Sequence, residues 1–193
     1  MEQKNLNIEM YDRYEAELLQ QLVALCNERG WPSGKLPSSV DIEDKWKDLS
    51  ADFMVDAVRE YNGYPLATLA WAAYIGAAVA HWWDTDWEQN KMRSYKSLLG
   101  FKGFDDMDEH IVQNVLHYKL GDDNATMLDN AFHLCADKAN SMLLHQGVEP
   151  GSTDAFYLFV RTLRVMYIIG ASVHLKQLGY SMQAMPLINK PSV

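Results

Sequence analysis

From Tyr61 to Trp83 the chain contains no Asp, Glu, Lys or Arg. A helix that is apolar on every side must be buried on every side, so this run marks the centre of the folded chain. Its small residues recur at four-residue spacing, with Ala72, Gly76 and Ala80 on one line and Ala73 and Ala77 on the next. That spacing lets neighbouring helices approach closely. The run then ends in an aromatic and acidic cluster, His81-Trp82-Trp83-Asp84-Thr85-Asp86-Trp87.

A membrane span needs roughly 20 apolar residues, so the length of the run raises that possibility. Much of it is alanine, however, and its flanks are Glu60 and the Asp84/Asp86 pair rather than the Lys/Arg loops that fix orientation in a bilayer. The other strongly apolar stretch, residues 155–175, carries Arg161 and Arg164 in its interior. Each would cost on the order of 3 kcal/mol in lipid. Both stretches therefore read as inner helices of a soluble bundle, with no membrane partner.

A chain of 193 residues fits a single domain and buries about 70% of its unfolded surface without any staple. Two cysteines, Cys26 and Cys135, each fall on the apolar face of an expected helix and read as reduced core thiols. The first residues lack the basic start and apolar stretch of a secretory signal, and the last ones match no lipid-anchor signal, so a cytoplasmic location is expected. A net charge of −9, with no dense Lys/Arg block, argues against a nucleic-acid partner.

Periodicity places the remaining elements. Tyr11, Tyr14, Leu18, Leu22 and Leu25 line one face of a helix over residues 5–29, which Gly30 and Pro32 stop. Ser38 and Asp41 have capping-box spacing ahead of the stripe Ile42, Trp46, Leu49, Phe53 and Ala57. Pro65 suits the first turn of the central helix over 64–83. Thr85 and Glu88 offer a further cap, so that helix either continues or gives way to a new one over 86–99. Further helices are expected over 105–120, 123–146 and 153–178, and residues 181–193 read as a flexible tail. The fold expected is all-α, a single-domain bundle of six or seven helices.

The signatures of nucleotide-binding loops, serine hydrolases, zinc proteases and di-iron bundles are absent from the sequence. His81 and Asp84, three apart, share a helix face and suit a metal or an acid–base pair walled by Trp82 and Trp87, with Asp86 nearby. The plainer alternative is a helix end whose tryptophans cap the core. Arg161 and Arg164, set in an apolar helix, call for carboxylate partners or for an anionic small molecule. If the central and last helices pack antiparallel, these arginines stand level with His81 and Asp84 and pair with Asp84, Asp86, Asp105 or Asp106, which would form a single ligand pocket. Asp129, His133 and Asp137 lie opposite the apolar face of their helix and read as solvated, and His110 and His117 as surface histidines.

The function expected from this is a binding or self-association module, forming a homo-oligomer. The alternative is a small-molecule or metal-dependent enzyme using His81 and Asp84 together with Arg161, Arg164 or His174. No substrate or cofactor can be named from the residues.

Overall fold

A stripe such as Ile42, Trp46, Leu49, Phe53 and Ala57 buries only if the helix carrying it lies on a partner, and all five residues are buried. In the computed structural model, which describes residues 2–31 and 37–180, this stripe belongs to α2 (Val40–Glu60). α2 follows α1 (Glu2–Glu28) and precedes α3 (Pro65–Asn90). A short α4 (Met107–His110), then α5 (Asp123–Leu144) and α6 (Thr153–Gln177) complete an all-α bundle. The tail over 181–193 lies outside the described residues.

Caps set the helix starts. The cap of α2 is Ser39, one residue later than the spacing of Ser38 and Asp41 implied: its hydroxyl accepts from the Ile42 amide at 3.2 Å, while Ser38 donates to Glu43. Asp122 and Ser152 cap α5 and α6 through the amides of Ala125 and Ala155. Pro65 occupies the first turn of α3 as expected.

α3 and α6 form the centre. Ala73, Ala77 and Ala80 are fully buried, as the small-residue spacing requires. Gly76 lies against the backbone of Tyr167 and Ala171, and Gly170 against that of Ala73. Neither glycine site has room for a side chain. By length and composition α6 alone among the described helices could cross a membrane, but 67% of its apolar window is buried inside the bundle.

The direction of this pair corrects the antiparallel expectation. Ala73 meets Gly170, His81 meets His174 and Asp84 meets Tyr180, so the register advances along both helices together and α3 and α6 run parallel. α1 runs with them, since Tyr11 bonds Asp154 and Tyr14 bonds Thr162. α2 and α5 run the other way: Tyr167 donates to the Ile42 carbonyl and Ser172 to that of Pro37, while Tyr61 reaches Asn140 and Tyr74 reaches Asp129. The five long helices do alternate in direction along the chain; the expectation failed on the count, because the segment between α3 and α5 forms no full-length return helix.

That segment departs from the single helix expected over 105–120. It contains two 3-10 turns, Tyr95–Leu98 and Phe104–Asp106, followed by α4, which widens into a π turn at Ile111–Val115. The Leu116 amide reaches the Ile111 carbonyl and the Tyr118 amide that of Val112. His117 then takes a φ of 59°, a left-handed conformation rare for a residue with a side chain. The question of whether α3 continues is answered by a kink. It runs through Thr85, breaks at Asp86, and ends at Asn90 after one further turn started by the Asp86 carboxylate, which accepts from the Gln89 amide at 3.0 Å.

Candidate functional site

Because the α3–α6 pair runs parallel, the residues singled out from the sequence fall at two ends of the bundle. At the end where α6 finishes, His174 is fully buried and its Nε2 lies 3.4 Å from His81 Nδ1. Its other nitrogen, Nδ1, lies 2.9 Å from Gln177 Oε1, so both nitrogens of this ring have partners. The His117 ring stands 5.9 Å from that of His81, and the Tyr118 ring 6.1 Å from that of His174. Two backbone irregularities, the π turn and the left-handed His117, border this group, and such irregularities concentrate at functional sites.

Burial decides the charge state here. It pushes the His174 imidazole down to about 4, with nearby His81 lowering it further and Gln177 opposing. The His81 imidazole is also held below its ordinary value, first by burial and then by His117, against the attraction of Asp84. The buried member of the pair is neutral at neutral pH. Among the described residues no group of three or more His, Cys, Asp or Glu is placed to hold a metal ion.

The other residues of the expected site scatter around this end. Asp84 accepts from the Tyr180 hydroxyl at 2.7 Å, and the Trp83 ring lies 5.7 Å from that of Tyr180. Trp82 is buried with the Arg93 guanidinium 5.6 Å from its ring centroid, and Asp86 is spent on its helix turn. Trp87 lines a shallow charged groove with Asp41, Lys45 and Met92.

Arg161 and Arg164 do not join them. His174, the residue level with His81, lies thirteen positions beyond Arg161, about 20 Å at the helical rise. Both arginines pair with α1: Glu15 takes a guanidinium from each, and Asp12 takes Arg161 at 2.8 Å. Ion pairs do form, but with α1 rather than with any of the acids expected, and the arginines are half-exposed rather than internal. The pocket built jointly from His81, Asp84 and these arginines is not formed, and acids of α1 occupy the place an anionic ligand would need. Asp129, His133 and Asp137 are exposed as expected. His110 is half-buried and bonds Asn114, and His117 is exposed as expected, its ring standing beside that of His81.

At the other end lies a feature that the sequence reading missed. Where α2 and α5 finish and α6 begins, Tyr61, Leu143, Val148, Pro150 and Phe159 line a groove of about 410 Å³, with Asn62 and Ser152 among its few polar residues. The Tyr61 and Phe159 rings lie 4.6 Å apart, and Asn140 holds the Tyr61 hydroxyl. The rim is apolar and open, with Val58, Leu144 and Phe156 exposed by 47%, 69% and 45%. No lining residue is charged. The available signal was apolar residues off their helix stripes near helix ends: Val55 and Val58, Leu144, and Phe156 with Tyr157. Compared with protein-family models, curated proteins and solved structures, the chain matches none of them.

Proposed function

We propose that this protein is a cytoplasmic binding module that self-associates through the groove between α2, α5 and α6, two copies meeting across a two-fold axis. The observation that carries this is the uncharged groove with Val58, Leu144 and Phe156 exposed on its rim. Contiguous apolar surface of this kind marks interaction sites. Charge favours a second copy as the occupant. At a net charge of −9 two copies repel one another, and a face whose lining carries no charge is where they meet with least repulsion. A strongly basic partner would gain little from docking there.

Sedimentation equilibrium at micromolar concentration tests the proposal, run at low and high salt. A dimer is expected that tightens as salt screens the repulsion between like-charged copies. Leu144→Glu and Phe156→Glu, both at exposed positions, are expected to give folded monomers. A parent that stays monomeric at high salt, or a dimer indifferent to both substitutions, would overturn it.

Proton transfer at the imidazole end is the second function with specific support. His81 is half-buried and backed by neutral His174, which Gln177 orients, an arrangement suited to taking a proton from a small molecule and passing it on. Imidazole proton resonances followed against pH check it: a His81 that does not titrate anywhere between pH 5 and 8 cannot serve as that base.

A further inference from the structure

Cys26 and Cys135 lie on α1 and α5, 109 residues apart, and each is fully buried and free. Their sulfur atoms are 3.8 Å apart. We propose that these two thiols are a redox pair that closes to an intramolecular disulfide joining α1 to α5. A disulfide bond is about 2.0 Å long, so the sulfurs have less than 2 Å to close, a distance that side-chain rotation and a small helix shift supply. Each cysteine stands on the seam of its helix, facing the other rather than solvent, so an intramolecular partner is nearer than any second molecule.

The oxidant is a hydroperoxide. The Cys26 thiolate attacks one peroxide oxygen and the O–O bond breaks; sulfur is oxidised to the sulfenic acid as oxygen is reduced and leaves as water or an alcohol. Cys135 sulfur then attacks the Cys26 sulfur, the S–O bond breaks, and water leaves with the remaining proton. Two thiols and one hydroperoxide thus give one disulfide, one water, and one further water or alcohol. Cys26 takes the first role because it lies two residues from the end of α1, where a helix frays, whereas Cys135 lies in the middle of α5. Access comes through the end of α1, which finishes at Glu28, so opening of a single last turn uncovers Cys26. In a reducing cytoplasm the bond would be transient. When closed it ties down the helix whose Asp12 and Glu15 hold the arginines of α6.

The test uses the full-length folded protein, titrated with hydrogen peroxide and read by intact mass and peptide mapping. The expected result is loss of two hydrogen atoms, a peptide pair linking Cys26 to Cys135, a raised melting temperature, and reversal of all three by dithiothreitol. Cys26→Ala is expected to leave Cys135 unmodified at the same peroxide dose. Added oxygen on Cys26 with no link, a link only between separate molecules, or a link that forms only in urea would each overturn the proposal. So would no change at all at doses that oxidise exposed methionines. None of these outcomes depends on the groove or on self-association.

Discussion

Replacing Gly170 with alanine puts the central helix pair under the most direct strain the structure offers. A Cβ at that position would stand 1.9 Å from the carbonyl oxygen of Ala73, with the Ala73 carbonyl carbon and Cα also within 2.6 Å. These are backbone atoms of a buried helix and cannot rotate away. Non-bonded heavy atoms rest about 3.5 Å apart, so α3 and α6 would have to separate by more than 1 Å, and a gap of that size forfeits about half of each contact's attraction along the seam. Overpacking of this kind costs about 1–3 kcal/mol and occasionally more, against a gain of about 1 kcal/mol for exchanging glycine for alanine in a helix. Because the clash is with main chain rather than a side-chain tip, the upper part of that range applies, and a net loss of about 2 kcal/mol or more is expected. For a chain of this length that is a fall of roughly 4–8 °C in melting temperature. Gly76→Ala meets the Tyr167 carbonyl oxygen at 2.0 Å and is expected to behave alike. The double variant should lose less than the sum, since the helices need separate only once. Gly63→Ala is the control: its nearest neighbour, the Glu60 carbonyl oxygen, lies at 3.8 Å, and a change within about 0.5 kcal/mol is expected. Urea denaturation followed by circular dichroism measures all four. A Gly170→Ala protein as stable as the parent would refute the close parallel packing itself.

The His174 imidazole is held near 4 in the folded chain and returns to about 6.5 on unfolding, so the unfolded state binds a proton that the native state refuses, and stability falls as pH drops from about 6.5 to about 4. The loss by pH 4 is about 3 kcal/mol; His174→Gln should flatten that slope, and an unchanged slope would count against a buried neutral imidazole. Glu15→Gln leaves both Arg161 and Arg164 short of a carboxylate at a side chain only 12% exposed, and about 1–2 kcal/mol should be lost once screening of the half-exposed arginines is discounted. That loss should shrink in 1 M salt when urea midpoints are compared, and no difference from the parent at low salt would place the arginines in solvent.

Much of the architecture was legible because burial leaves a local trace. The stripe from Ile42 to Ala57, the uncharged centre of α3 and the glycine stops all report which side of a helix meets the core. Helix direction leaves no such trace: the periodicity around Gly76 and Gly170 is the same whether the pair runs parallel or antiparallel. That single unknown misplaced Arg161 and Arg164 beside His81, where His174 stands instead. His174 had one local signal, a lone imidazole in the apolar stretch that ends α6, but its partner lies 93 residues away. The π turn and left-handed His117 stayed hidden because residues 105–120 carry a good helical pattern, whose apolar residues Ile111, Val112 and Leu116 are buried as a regular helix would bury them. The groove was invisible for a related reason: its rim joins the ends of three helices, each contributing one or two apolar residues with no periodicity between them.

The parallel pairing of α3 with α6 also governs the order in which the chain can be made. Gly76 and Gly170 are 94 residues apart in sequence, so the tight packing at the centre of the bundle is a contact of high sequence separation, which slows folding relative to bundles built from neighbouring helices. On the ribosome, at about 5–20 residues per second, roughly 5–20 s pass between emergence of the alanine-rich helix and arrival of the helix that covers it. During that interval α2 and then α5 can cover only part of it, and the face that receives α6 stays open. A nascent chain stopped after residue 144 would present the uncovered face to chaperones, and a fragment ending there is expected to be recovered as aggregate rather than as a smaller bundle.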